Sequence, residues 1–110
     1  MSQTEVEVTA IPDGAFLLDV REDDEWAAGH APDAVHIPMR RVGVEAAAVL
    51  PKDMTSPIAV VCKAGGRSAK VTELLVEHGY NAVNVNGGML AWERAGLPMV
   101  SETAAPPEVI

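Results

Sequence analysis

Basic residues are scarce in this chain, cysteine is nearly absent, and long apolar runs are missing altogether. Eight Lys and Arg stand against sixteen Asp and Glu, a formal net charge of -8. Nucleic acids and anionic membranes both select a basic surface, so neither is expected as a partner. The single cysteine excludes an internal disulfide and any all-cysteine metal site, and it agrees with a reducing compartment. No apolar run approaches the roughly 20 residues that span a bilayer. Met1-Ser2-Gln3-Thr4-Glu5 shows no basic stretch leading into an apolar one, so no signal peptide is expected and a cytoplasmic location is. Internal repeats and low-complexity segments are also lacking. What is present is 48% apolar and 22% charged residues over 110 positions. That is the composition of one globular domain, able to bury roughly 60–70% of its unfolded surface.

Along the chain, strand patterns alternate with helix patterns. Val6, Val8 and Ile11, interleaved with Glu5, Glu7 and Thr9, predict an edge strand with one wet face after frayed residues 1–4. Pro12-Asp13-Gly14 is a turn, and Ala15 to Val20 a strand covered on both faces with Asp19 as its polar member. Glu22 opens a short helix through Ala28, its four leading acids suiting the macrodipole and Gly29 stopping it. A short strand over 34–37 ends at Pro38, a helix over 45–50 closes at Pro51, and 52–57 is a loop. Ile58 to Val61 is the central strand. Val71, Leu74, Leu75 and His78 line one face of a helix stopped by Gly79. A strand over 82–85, a turn at Asn86-Gly87-Gly88 and a last short helix follow. Pro106-Pro107 and the loss of periodicity predict a flexible tail over 101–110. The alternation implies βαβ units: an α/β fold with an open, five-stranded, mostly parallel sheet and helices on both faces.

Chemistry concentrates where the central strand ends, at Cys62-Lys63-Ala64-Gly65-Gly66-Arg67-Ser68. A lone cysteine after two valines is, on its own, most often a packing residue. Its neighbours argue otherwise. Ligands of open α/β sheets sit at the carboxyl ends of strands. Gly65 and Gly66 let the backbone turn sharply and keep side chains out of the space above the sulfur. Successive N–H groups in such a turn, with a helix beginning near Arg67 or Ser68, form an anion-binding nest. Such settings lower a thiol from about 8.5 into roughly the 3.5–7.5 range. Lys63, Arg67 and Lys70 place three of the eight basic residues together, which points to a small anion as substrate.

The stretches Leu18-Asp19-Val20-Arg21-Glu22, Ala28-Gly29-His30, His36-Ile37-Pro38, Cys62 to Ser68, Gly87 to Trp92 and Ala95-Gly96-Leu97-Pro98 recur in one order. In that order they resemble the single-domain rhodaneses, a sulfurtransferase family, over about residues 4–100. The resemblance implies that Cys62 takes sulfane sulfur from an anionic donor such as thiosulfate, holds it as a persulfide, and passes it to a thiophilic acceptor, cyanide or a thiol, in two half-reactions. It implies that the backbone from Lys63 to Arg67 cradles the persulfide and that Arg67 and Lys63 attract the donor. Ser68 bonds within the loop or caps the helix. Four residues separate Cys62 from Arg67. Related phosphatases and arsenate reductases use five, a ring for a tetrahedral oxyanion where the shorter one suits a single sulfur, and a phosphatase also needs a general acid. The loop lacks the small-residue form of mercaptopyruvate users, which favours thiosulfate or a persulfidated partner. A non-catalytic persulfide carrier or sensor serving a partner protein, and an oxyanion enzyme on the same fold, stay open as alternatives. The chain departs from the family pattern at Ala31, Asp33 and His36 and between Ile11 and Phe16.

Other polar residues are assigned supporting parts. Asp19 accepts hydrogen bonds from the neighbouring loop, while Arg21 and Glu22 pair with charges on the rim, joined there by Met39 and Arg40. His30 makes a structural hydrogen bond and Trp92 faces the core. His36 and His78 have no second ligand at metal spacing, so no metal and no cofactor is expected.

Overall fold

All four side chains of Ile58–Val61 are buried, which a strand achieves at the centre of a sheet covered on both faces. In the computed structural model, which describes residues 5–52 and 55–110, the strands are β1 (Glu5–Glu7), β2 (Phe16–Asp19), β3 (Val35–His36), β4 (Ile58–Val61) and β5 (Ala82–Asn86). Their spatial order is β1-β5-β4-β2-β3, and every pairing is parallel. The helices are α1 (Asp23–Ala28), α2 (Val42–Val49), α3 (Gly66–Glu77) and α4 (Gly88–Arg94), with tight turns at Val8–Ala10 and Met39–Arg41. The expected fraying of residues 1–4 and the middle of the expected loop, residues 53 and 54, lie outside the described residues.

Period-two alternation divides the core. Leu18, Ile58, Val60 and Cys62 point to one face and pack with Val42 of α2 and with Val71 and Leu75 of α3. Ala59, Val61 and Val85 point to the other and meet Met89 and Trp92 of α4, together with Val6, Val8 and Ile11. The expected layering of helices on both faces is present.

Several boundaries differ from those expected, each for a local reason. The edge strand ends at Glu7, because Val8–Ala10 closes a tight turn that swings Val8 and Ile11 onto the α4 face. α2 begins at Val42, three residues early, anchored by that buried side chain and an Arg41–Glu45 ion pair one turn apart. On α3 the inward face is Ser68, Val71, Thr72 and Leu75, whereas Leu74 is 39% exposed and His78 lies at the surface. Ser68 and Thr72 point inward because both find partners there: the Thr72 hydroxyl donates to the Ser68 carbonyl at 2.8 Å, and Ser68 reaches the cysteine.

The segment expected as a flexible tail is docked. Val100 forms an antiparallel bridge with His30, the Glu102 N–H donates to the Ala27 carbonyl, and the Glu108 N–H to that of Ala28. Glu108 passes so close that a Cβ on Gly29 would lie 2.7 Å from its backbone nitrogen. Two prolines remove periodicity but also stiffen the chain, and Val109 supplies the apolar contact that holds it.

Candidate active site

Parallel β4 delivers Cys62 to the carboxyl edge of the sheet, one residue past its last paired position. What the next residues do there is set by α4. The N–H groups of Met89 and Leu90, at the start of that helix, donate to the carbonyls of Cys62 and Lys63 at 2.8 and 3.0 Å. With those carbonyls turned toward α4, the following N–H groups are free to turn toward the sulfur. This approach requires Gly88. A Cβ there would collide with the Cys62 carbonyl oxygen and lie 2.6 Å from that of Lys63, and its φ is +57°. Gly65 then reverses the chain at φ +111° and leads into α3.

The Cys62 Sγ accepts from the Gly65 N–H at 3.1 Å and from the Ser68 hydroxyl at 3.3 Å. Burial is the largest single influence on the thiol and pushes its pKa up. The Ser68 hydroxyl and the N–H groups of Ser68, Gly65 and Ala64 together outweigh it, so the net shift is downward. The arrangement therefore favours the sulfur anion more than an ordinary cysteine's surroundings do.

The loop residues named from sequence divide by what they touch. Cys62, Ala64, Gly65 and Ser68 form the cradle. Gly66 is the first residue of α3 and has nothing within 4 Å of where a Cβ would stand, so only one of the two adjacent glycines is sterically required. Lys63 makes no side-chain hydrogen bond or ion pair among the described residues. Arg67, expected to attract a donor, is closed on Glu25 through two nitrogens at 2.7 and 2.9 Å. That hydrogen bond, ahead of a burial penalty, brings Glu25 down to about 2.

Asp19 and Arg21 form a buried ion pair with each other. Arg21 is fully buried, not at the rim as expected: it grips both oxygens of Asp19 and donates to the Gly29 carbonyl at 2.8 Å. Asp19 accepts from the backbone and side chain of Arg21, so its partner is one neighbouring residue. Glu22 pairs with Arg40, as a rim residue. His30 sits 2.8 Å from the Ala31 carbonyl and 2.7 Å from the Glu102 carboxylate. Trp92 is partly buried, packs against the core and donates from Nε1 to the Pro98 carbonyl.

Two residues were not picked out by sequence. In the sequence Glu25 is one acid in a helix start; in the fold it is the clamp on Arg67. Trp26 stacks in parallel with the rings of both His30 and His36, with centroids 3.5 and 4.8 Å away. The spacing of His30 four residues beyond Trp26 was a visible signal for the first contact; His36 arrives from another strand.

Fold and site together define a parallel α/β domain that presents one thiol, at a strand end, to a ring of backbone donors. The chain belongs to the rhodanese-like family: the family profile "Rhodanese-like domain" matches residues 4–95. Among curated proteins it is 46% identical over 78 residues to YtwF of Bacillus subtilis, covering 71% of this chain and 73% of that one. It is 38% identical over 93 residues to the thiosulfate sulfurtransferase GlpE of Actinobacillus pleuropneumoniae serotype 3, covering 84% and 82%. Among solved structures it superposes on a rhodanese-related protein from Thermoplasma volcanium with TM-score 0.79 and 28% identity, over 88% of this chain and 97% of that one. No helix among the described residues is long and apolar enough to cross a membrane.

Proposed function

We propose that the protein is a sulfurtransferase in which Cys62 is the nucleophile and persulfide carrier, with a small anionic donor such as thiosulfate. The observation that carries this reading is the ring of donors from Ala64, Gly65 and Ser68 around a thiol whose pKa is lowered. The thiolate attacks the outer sulfur of thiosulfate, the S–S bond breaks, and sulfite leaves with the bonding electrons. The persulfide's outer sulfur carries the negative charge and takes over the N–H donors. In the second half-reaction cyanide or a thiolate attacks that outer sulfur and the Cys62 thiolate is the leaving group. Cys62 is only 1% exposed, which favours a donor that presents a single terminal atom.

Geometry also weighs against phosphate ester hydrolysis, which needs a proton for its leaving group. Asp19 is locked to Arg21, and Glu25 is locked to Arg67 and held ionised to about pH 2. The Glu25 carboxyl therefore has no proton to give near neutrality, and both oxygens of Asp19 are already taken by Arg21. The test is intact-mass measurement after incubation with thiosulfate. A gain of one sulfur atom, removed by cyanide and absent in Cys62→Ala, is the expected result; no gain on the wild-type chain overturns the reading.

A further inference from the structure

The loop's arginine is not available as it stands. Two guanidinium nitrogens of Arg67 are spent on the two oxygens of Glu25, at 2.7 and 2.9 Å. Glu25 is itself fixed, because it lies in the first turn of α1 and its Oε1 accepts the Glu22 N–H at 3.0 Å, closing a capping box. The Glu25 side chain is 14% exposed and that of Arg67 36%, so the pair is shielded on its carboxylate side. A paired guanidinium and carboxylate act at a distance as a dipole, whose field on a third charge falls off far faster than that of a lone cation. Arg67 nevertheless lies within electrostatic reach of the nucleophile: after Glu25, the Cys62 thiolate is among the charges that raise its pKa. The nearby acid Glu22 is occupied by Arg40, and Lys63 alone among the loop's cations has no partner in the described residues.

We propose that Glu25 is a positioning residue that sets the charge of the donor this site favours, neutralising Arg67 and leaving recognition of an anionic donor to Lys63. The inference rests on the sulfur-transfer reading above. It concerns the donor step only: the same thiolate attack and the same departing electron pair apply whether sulfite leaves thiosulfate or a sulfinate leaves an aryl thiosulfonate. These two donors differ by one unit of charge, which makes them a matched pair of probes.

Steady-state kinetics with both donors decides the matter. Glu25→Gln keeps an oxygen for the Glu22 N–H while removing the charge. It is expected to lower KM for thiosulfate about three- to tenfold, to lower KM for the monoanionic thiosulfonate by less, and to leave kcat within about twofold. The thiosulfate KM of this variant is expected to rise more steeply with salt than that of the wild type. Lys63→Gln, which leaves the α1–α3 clamp intact, is expected to raise KM for thiosulfate about threefold or more. A thiosulfate KM that is unchanged or raised in Glu25→Gln, or a kcat that falls alike with both donors, overturns the proposal and makes Glu25 a brace for the loop. If Glu25→Gln does not fold, Lys63→Gln decides alone: an unchanged thiosulfate KM overturns the proposal. Wild-type protein that forms a persulfide while the variants behave as wild type rejects this inference only. Wild-type protein that forms no persulfide from either donor rejects the sulfur-transfer reading and this one with it.

Discussion

Ser68 and the glycines around Cys62 divide the work of holding a sulfur anion, and their substitutions should separate cleanly. Ser68→Ala removes the hydroxyl that does most, after burial, to shift the Cys62 pKa, and it pulls that pKa down. Its loss should move the thiol upward, so the acid limb of the rate–pH profile shifts to higher pH. Persulfide formation is expected to fall about threefold or more at pH 6, with the gap narrowing as pH rises. Gly88→Ala should be severe, because its Cβ would strike the Cys62 and Lys63 carbonyls and no side chain there can flex away. We expect at least about a hundredfold loss of activity and about 2 kcal/mol or more of stability, read by sulfur loading and urea denaturation. Gly66→Ala should cost little and is expected to stabilise α3 by roughly 0.5–1 kcal/mol, since it stands in open space on a helix. Sequence showed two adjacent glycines; only the positive φ of Gly65 and the crowding at Gly88 reveal which ones the cradle needs.

Among elements, α1 and α3 are joined across the site by Glu25 and Arg67, and that joint has a pH signature. Glu25 sits at about 2 against an ordinary 4.5, chiefly through the hydrogen bond from Arg67. A carboxyl depressed by folding stabilises the native state fully above its unfolded value. That contribution fades as pH falls from about 4.5 toward about 2. Glu25→Gln should therefore be less stable than wild type by about 1 kcal/mol at pH 7, with the gap narrowing from pH 4.5 downward, as urea denaturation at several pH values would show. The strands and the Cys62 loop were legible in sequence because apolar period and glycine placement are local signals. The inward turn of Ser68 and Thr72 was not, since polar residues face a core only when partners wait there, and those partners come from the turn after β4 and from α3's own backbone. Likewise, Arg21 reads as a surface charge until Asp19 and the Gly29 carbonyl are seen to enclose it.

For the whole molecule, the last ten residues matter more than their composition suggests. Ending the chain after Val100 would remove the Glu102 and Glu108 bonds to α1, the carboxylate beside His30 and the Val109 contact. We expect a loss of about 1–3 kcal/mol and faster hydrogen exchange around Ala27 and Ala28, with the sulfur cradle itself intact. The sheet order has a different consequence, one that concerns synthesis. β1 is translated first but pairs only with β5, and β4 lies between β5 and β2. The nucleophile's carbonyl waits for α4, whose first turn is some 26 positions downstream at Gly88–Met89 (88 minus 62). A polypeptide interrupted before Gly88 thus carries Cys62, Gly65 and Ser68 without the two N–H groups that turn the Cys62 and Lys63 carbonyls. The loop around the nucleophile is thus braced by a helix made long after it, and takes its final shape late in synthesis.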